Sequence, residues 1–66
     1  MYLCVNGQNR EFIRPLNVKL LLEQLELNPE RVVVELNRDI LTSDKYVDIQ
    51  LQDGDTLELI QFVGGG

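Results

Sequence analysis

The chemistry open to this chain is bounded first by the side chains it lacks. Histidine is absent and cysteine occurs once. That removes the commonest general base and metal ligand, along with any Cys-x-x-Cys redox pair or zinc knuckle. No glycine-rich loop leads into Lys and Ser or Thr, so no phosphate cradle of that type is encoded. The 11 acidic residues are scattered, as on a solvated acidic surface. A hydrolase built on two of them needs a cleft, which 66 residues barely provide. Neither self-contained catalysis nor a metal site is expected, which leaves a binding module or a substrate for other enzymes. Cys4, alone in an apolar stretch, reads as a small hydrophobe rather than a nucleophile.

One further group has chemical interest. The sequence closes on Gly64-Gly65-Gly66, and glycine loses the most backbone entropy on ordering, so this tail is expected to be mobile. Two readings stand. The glycines are a frayed terminus or an expression scar. Alternatively they form a slender segment, free of Cβ atoms, that threads a narrow channel in another protein and delivers the α-carboxylate of Gly66.

The elements that must position such a tail fit one small domain. Its hydrophobic share of 44% is ordinary for a globular protein, and its net charge is 6 − 11 = −5, with a pI near 4.4. An acidic chain is a poor ligand for nucleic acid, which requires clustered Lys and Arg, and for an anionic membrane surface. No apolar run approaches the roughly 20 residues of a membrane span. Met1 to Gly7 lacks the basic start and apolar stretch of a signal peptide. A single cysteine suits a reducing compartment, so a cytoplasmic location is expected.

Tyr2 to Val5 is β-prone and runs into Asn6-Gly7, the strongest short hairpin signal, with Arg10 to Ile13 as the returning strand. Pro15 blocks continuation. Asn17 reads as a helix N-cap. Val18, Leu21, Leu22 and Leu25 then fall at i, i+3, i+4 and i+7, one apolar stripe on a helix from Val18 to Glu26. Asn28-Pro29 is expected to end it, and Lys19 and Glu23 pair weakly on its wet side. Arg31 to Leu36 is a strand with Val32, Val34 and Leu36 inward and Glu35 toward water. Asn37-Arg38-Asp39 is turn chemistry, Ile40-Leu41 a short edge strand, and Ser43 the cap of a helical turn around Asp44 to Tyr46. Asp53-Gly54-Asp55 is a tight turn before a last strand, Thr56 to Val63. This order predicts an α+β fold: a four- to five-stranded mixed sheet with one helix across one face. Leu21, Leu22, Leu25, Val32, Val34, Leu36, Leu57 and Leu59 are its expected core.

One helix covers one face of a sheet. Alternation turns Ile60 and Phe62 to the other face, where Tyr2 and Cys4 also point if Leu3 and Val5 are core. Such a patch marks a partner surface, with Phe62 as an aromatic anchor; ordinary leakage of apolar residues to the surface is the plainer account.

The residues resemble the ThiS sulfur carriers of thiamine biosynthesis, within the β-grasp, ubiquitin-like fold. The likeness spans the chain. It is carried by Val34-Glu35-Leu36-Asn37 with Ile40-Leu41, by Leu51-Gln52-Asp53-Gly54-Asp55-Thr56-Leu57-Glu58-Leu59, and above all by Gln61-Phe62-Val63-Gly64-Gly65-Gly66. The molybdopterin synthase small subunit is similar in fold and also ends in Gly-Gly, but typically has Pro-Pro just before it. Gln61, Phe62 and Val63 stand there in this chain, which favours the thiamine branch.

The resemblance implies a β-grasp domain over residues 1–63 and a flexible tail over 64–66. It implies that the chain is no enzyme and binds no cofactor itself. A ThiF-like adenylating enzyme, using ATP and Mg, would activate the Gly66 carboxylate. A persulfide donor supplied by a cysteine desulfurase would convert it to a thiocarboxylate, and a ThiG-like thiazole synthase would take the sulfur. Gly64 and Gly65 would thread the tail, and Tyr2, Ile60, Phe62 and Val63 would meet the partners. A passive ubiquitin-like interaction module and a protein modifier remain the rival readings.

Overall fold

Two tight hairpins, one short helix and a last strand make up the regular structure in the computed structural model, which describes residues 1–62. The elements are β1 (Tyr2–Val5), β2 (Gln8–Glu11), α1 (Val18–Gln24), β3 (Val32–Leu36), β4 (Asp39–Leu41), a single 3-10 turn (Ser43–Lys45) and β5 (Thr56–Gln61). They build one five-stranded sheet in the order β2-β1-β5-β3-β4. β5 runs parallel to β1 and antiparallel to β3. The helix crosses one face, which is the expected α+β, β-grasp arrangement.

Both hairpins turn on an asparagine. Asn6 and Gly7 have φ of 50° and 80°, and Asn37 and Arg38 have 50° and 75°. Positive φ at both central residues of a two-residue loop gives the turn whose twist matches the flanking strands. The first return strand begins earlier than the sequence suggested, at Gln8, and stops at Glu11. Ile13 lies outside it and is 93% exposed. The Asp53-Gly54-Asp55 segment is a turn closed from the Asp55 N–H to the Gln52 carbonyl at 3.0 Å, with Gly54 at φ 89°. Both aspartates are structural. Asp53 accepts from the Tyr2 N–H at 2.6 Å, and Asp55 accepts from the Gln52 N–H at 2.7 Å.

Asn17 caps α1 as expected: its Oδ1 accepts the Leu20 N–H at 2.7 Å. The far end is a correction. Asn28-Pro29 does not stop the helix, which ends at Gln24 with Leu25 as its C-cap. Glu26 takes the left-handed conformation, φ 60°. Its N–H bonds the Glu23 carbonyl at 3.0 Å, and the Leu27 N–H bonds the Leu22 carbonyl at 2.8 Å. This pair of bonds is the Schellman closure, here without its usual glycine. The cap position of the 3-10 turn likewise falls one residue before the expected Ser43, at Thr42, whose side chain makes no capping bond.

Leu3, Val5, Val32, Val34, Leu57 and Leu59 of the sheet bury against Val18, Leu21 and Leu22 of the helix. Phe12, Leu16, Tyr46 and Leu51 close the core from the connections. Two expected core residues are only half-buried, Leu25 and Leu36. Leu25 sits where the chain leaves the helix, and Leu36 is the last residue of β3, beside an exposed turn. Glu35, expected in water, is half-buried too.

Candidate functional site: the open sheet face and the end of the central strand

The face of the sheet away from the helix is assembled by alternation. Thr56, Glu58, Ile60 and Phe62 point there from the β5 segment, Val33 and Glu35 from β3, and Ile40 from β4. Register decides which of them meet. Ile60 stands opposite Val33, and Glu58 opposite Glu35; Glu35 in turn stands opposite Ile40. Just past β5, the Phe62 N–H bonds the Arg31 carbonyl at 2.8 Å. Ile40, Ile60 and Phe62 are 71%, 59% and 60% exposed. Together with Val33 they form an apolar patch at one end of the open face.

Tyr2 does not belong to that patch. Its carbonyl accepts the Gly54 N–H at 2.7 Å, which places it at the start of β5. Ile60 is six residues further along, roughly 20 Å at strand rise. Tyr2 and half-buried Cys4 therefore mark the opposite end of the same face. Sequence alternation groups residues by face only. Val33, which it missed, was signalled by its parity with Glu35, and Ile40 by its alternation with Leu41, but neighbours on a face follow from strand order.

Charges of both signs border the patch, Glu30 and Arg31 at one end and Glu35, Arg38 and Glu58 at the other. Glu35 and Glu58 are directly opposed across β3 and β5, a pairing that costs stability. Arg38 borders the same hollow but makes no ion pair with either. Among the described residues the one ion pair is Lys19–Glu23, at 3.6 Å on the helix. The described residues hold no cluster of metal-ligating side chains and no helix long and apolar enough to cross a membrane.

Val63, Gly64, Gly65 and Gly66, the remaining candidate residues, lie outside the described residues. By chain connection they follow Phe62, so the glycine segment continues from the middle strand of the sheet. On the β3 side that strand is bonded through to Phe62. On the other side β1 ends at Val5, opposite Leu57. Beyond that point the Asn6 side chain takes over: its Oδ1 accepts the Leu59 N–H at 2.7 Å, and its Nδ2 donates to the Leu59 carbonyl at 3.2 Å.

A five-stranded mixed sheet in this order, backed by one helix, is the ubiquitin-like β-grasp fold. The chain belongs to the ThiS family, whose model matches residues 3–66. It is similar over its full length to a thiamine biosynthesis protein (ThiS) from Geobacter metallireducens of solved structure, with 38% identity, a TM-score of 0.85 and 100% of both chains covered. The sulfur carrier protein ThiS of Bacillus subtilis is 39% identical over 46 residues, 70% of each chain. A thiazole synthase of Paramagnetospirillum magneticum is 38% identical over all 66 residues, which span only 20% of that protein.

Proposed function

We propose that this chain is the sulfur carrier of thiamine biosynthesis and that its working group is the α-carboxylate of Gly66. The observation that carries the reading is positional. In the sequence only Val63 separates Phe62 from Gly64, so a partner gripping the apolar patch holds the chain two residues before its first terminal glycine.

A carboxylate is a poor electrophile, so it must be activated. A ThiF-like partner, using ATP and Mg, lets the Gly66 carboxylate oxygen attack the α-phosphorus; pyrophosphate leaves and an acyl adenylate remains. The terminal sulfur of a persulfide, formed by a cysteine desulfurase, attacks the carbonyl carbon and AMP leaves. A thiol then reduces the resulting acyl disulfide, its sulfur forming a new disulfide with the donor, and the thiocarboxylate is released on Gly66. A ThiG-like thiazole synthase takes this sulfur. The thiazole synthase relative, which matches the whole chain, supports that partner. The chain itself lends no catalytic group and holds no cofactor. Gly64 and Gly65 keep the approach slender, and the net charge of −5 favours basic surfaces on the partners.

The test is intact mass after co-expression with an adenylating enzyme of this class and a sulfur source. Exchange of one carboxyl oxygen for sulfur adds about 16 Da, by atomic mass. A chain lacking Gly66 should gain none, because its carboxylate falls short by about 3.5 Å, more than in-line attack tolerates. A C-terminal tag that is never cleaved should also abolish the shift. A tagged chain that still supplied sulfur would overturn the reading and leave a passive interaction module.

A further inference from the structure

The last stretch of β5 is held on two sides by unlike means. Toward β3 the ladder is backbone on backbone as far as Phe62. Toward β1 the final backbone bond is the Asn6 N–H to the Leu57 carbonyl at 2.9 Å. The chain then turns away through Asn6-Gly7 into β2, and no residue of β1 stands opposite Leu59 or Gln61. The Asn6 carboxamide fills the first vacant rung. It presents one acceptor and one donor to the Leu59 peptide, at 2.7 and 3.2 Å, as a backbone amide of a longer strand would.

The rung requires the turn. Asn6 sits at φ 50°, a conformation asparagine tolerates and most residues do not, and this lets its side chain continue along β5. The other hairpin has the same device at the opposite end of the strand. Asn37 Oδ1 accepts the Thr56 N–H at 2.9 Å, and its backbone N–H bonds the Thr56 carbonyl at 2.8 Å. There its Nδ2 turns to Asp55 Oδ1, at 3.0 Å. One asparagine thus fastens the entry of β5, and the other fastens it three residues before Phe62.

We propose that Asn6 is a positioning residue: its side chain latches Leu59 and so fixes the course on which the C-terminal strand leaves the sheet toward the reactive tail. This rests on the carrier reading for its functional half and on geometry alone for the latch. A latched strand presents the patch of Ile60 and Phe62 in one fixed relation to the rest of the sheet. An unlatched one is held past Leu57 along one edge only, by β3, and must give up the added freedom when the partner binds, a cost that appears in binding rather than in the chemical step.

The experiment uses the full 15N-labelled chain. Asn6→Gly keeps an unstrained turn and deletes the latch, and Asn37→Gly does the same at the other end of β5. Asn6→Asp keeps the acceptor but sets a carboxylate against the Leu59 carbonyl. Amide exchange protection at Leu59 should fall at least tenfold in Asn6→Gly relative to Phe62, whose N–H is bonded to β3. It should hold in Asn37→Gly. In Asn6→Asp it should fall at neutral pH and recover below about pH 4, where the protonated carboxyl donates again. With an adenylating enzyme of the ThiF class and this chain as substrate, Asn6→Gly should raise KM about tenfold with kcat within twofold. Asn37→Gly should leave both within twofold. Unchanged Leu59 protection in Asn6→Gly would overturn the latch. Lost protection with unchanged KM, or an equal rise in KM for Asn37→Gly, would overturn the positioning role. A wild-type chain that is never adenylated would sink the carrier reading and the positioning role with it, while the exchange result would still decide the latch.

Discussion

Replacing Tyr46 by Phe removes one oxygen atom from the core, and its consequence can be worked out from strand register. Tyr46 is 4% exposed, and its hydroxyl donates to the Val32 carbonyl at 3.2 Å. That carbonyl is directed away from β5, because the β5-facing bond at this level is made by Arg31. On its own side β4 pairs β3 only from Val34 to Leu36, so no strand reaches Val32. Tyr→Phe therefore deletes a buried hydrogen bond and strands its acceptor, a loss of about 1–2 kcal/mol. For a domain of this size each kcal/mol moves the melting temperature by roughly 4–8 °C, so Tyr46→Phe should melt about 5–15 °C lower. A pH series adds a second signature. Burial pushes the Tyr46 hydroxyl above its ordinary value of 10.0. Between the ordinary and the raised pKa the folded state binds the proton and the unfolded state does not, so stability falls as pH rises through that window. The contribution is intact below about pH 10 and is lost above it. Thermal melts across that range should show a steeper alkaline decline in the wild type than in Tyr46→Phe. An unchanged melting temperature with the same alkaline slope in both proteins would refute the buried hydroxyl bond.

Leu22→Ala, at a position with no exposed surface, should lose about 2–5 kcal/mol in urea unfolding, a large share of what so small a domain has. Phe62→Ala should weaken binding to the adenylating enzyme or thiazole synthase by about 1–3 kcal/mol, measured calorimetrically, with its melting temperature unchanged; lost stability with intact affinity would make Phe62 a core residue. Glu58→Gln relieves the opposed carboxylate pair and should gain about 0.2–1 kcal/mol of stability at low ionic strength. That gain should shrink as salt screens the repulsion.

Local chemistry made much of this fold legible. Asn6-Gly7 announced a hairpin because few residue pairs tolerate positive φ twice in succession, and Asn17 announced a helix start because its side chain has a specific unpaired N–H to meet. Period-two alternation placed Leu57 and Leu59 inside and Ile60 and Phe62 outside. What escaped depended on partners distant in sequence. The helix ends two turns after it begins because Glu26 accepts a left-handed conformation that no propensity would assign to it. Phe12, Tyr46 and Leu51 are core because the connections fold back over the sheet, and no periodicity marks a connection. Tyr2 was grouped with Phe62 because both face the same way. Their separation follows from the parallel register of β1 and β5, which is set by contacts fifty residues apart in the chain.

The strand at the centre of the sheet is also the last strand in the chain order. Until β5 is in place, β1–β2 and β3–β4 are two separate hairpins with no hydrogen bond between them, and an isolated hairpin is marginal in water. A nascent or truncated chain that stops short of Thr56 has a helix and both hairpins, yet lacks the strand that joins them. Folding of this domain is therefore a report on synthesis. Any molecule whose five-stranded sheet has closed has, by the same event, been made at least as far as β5.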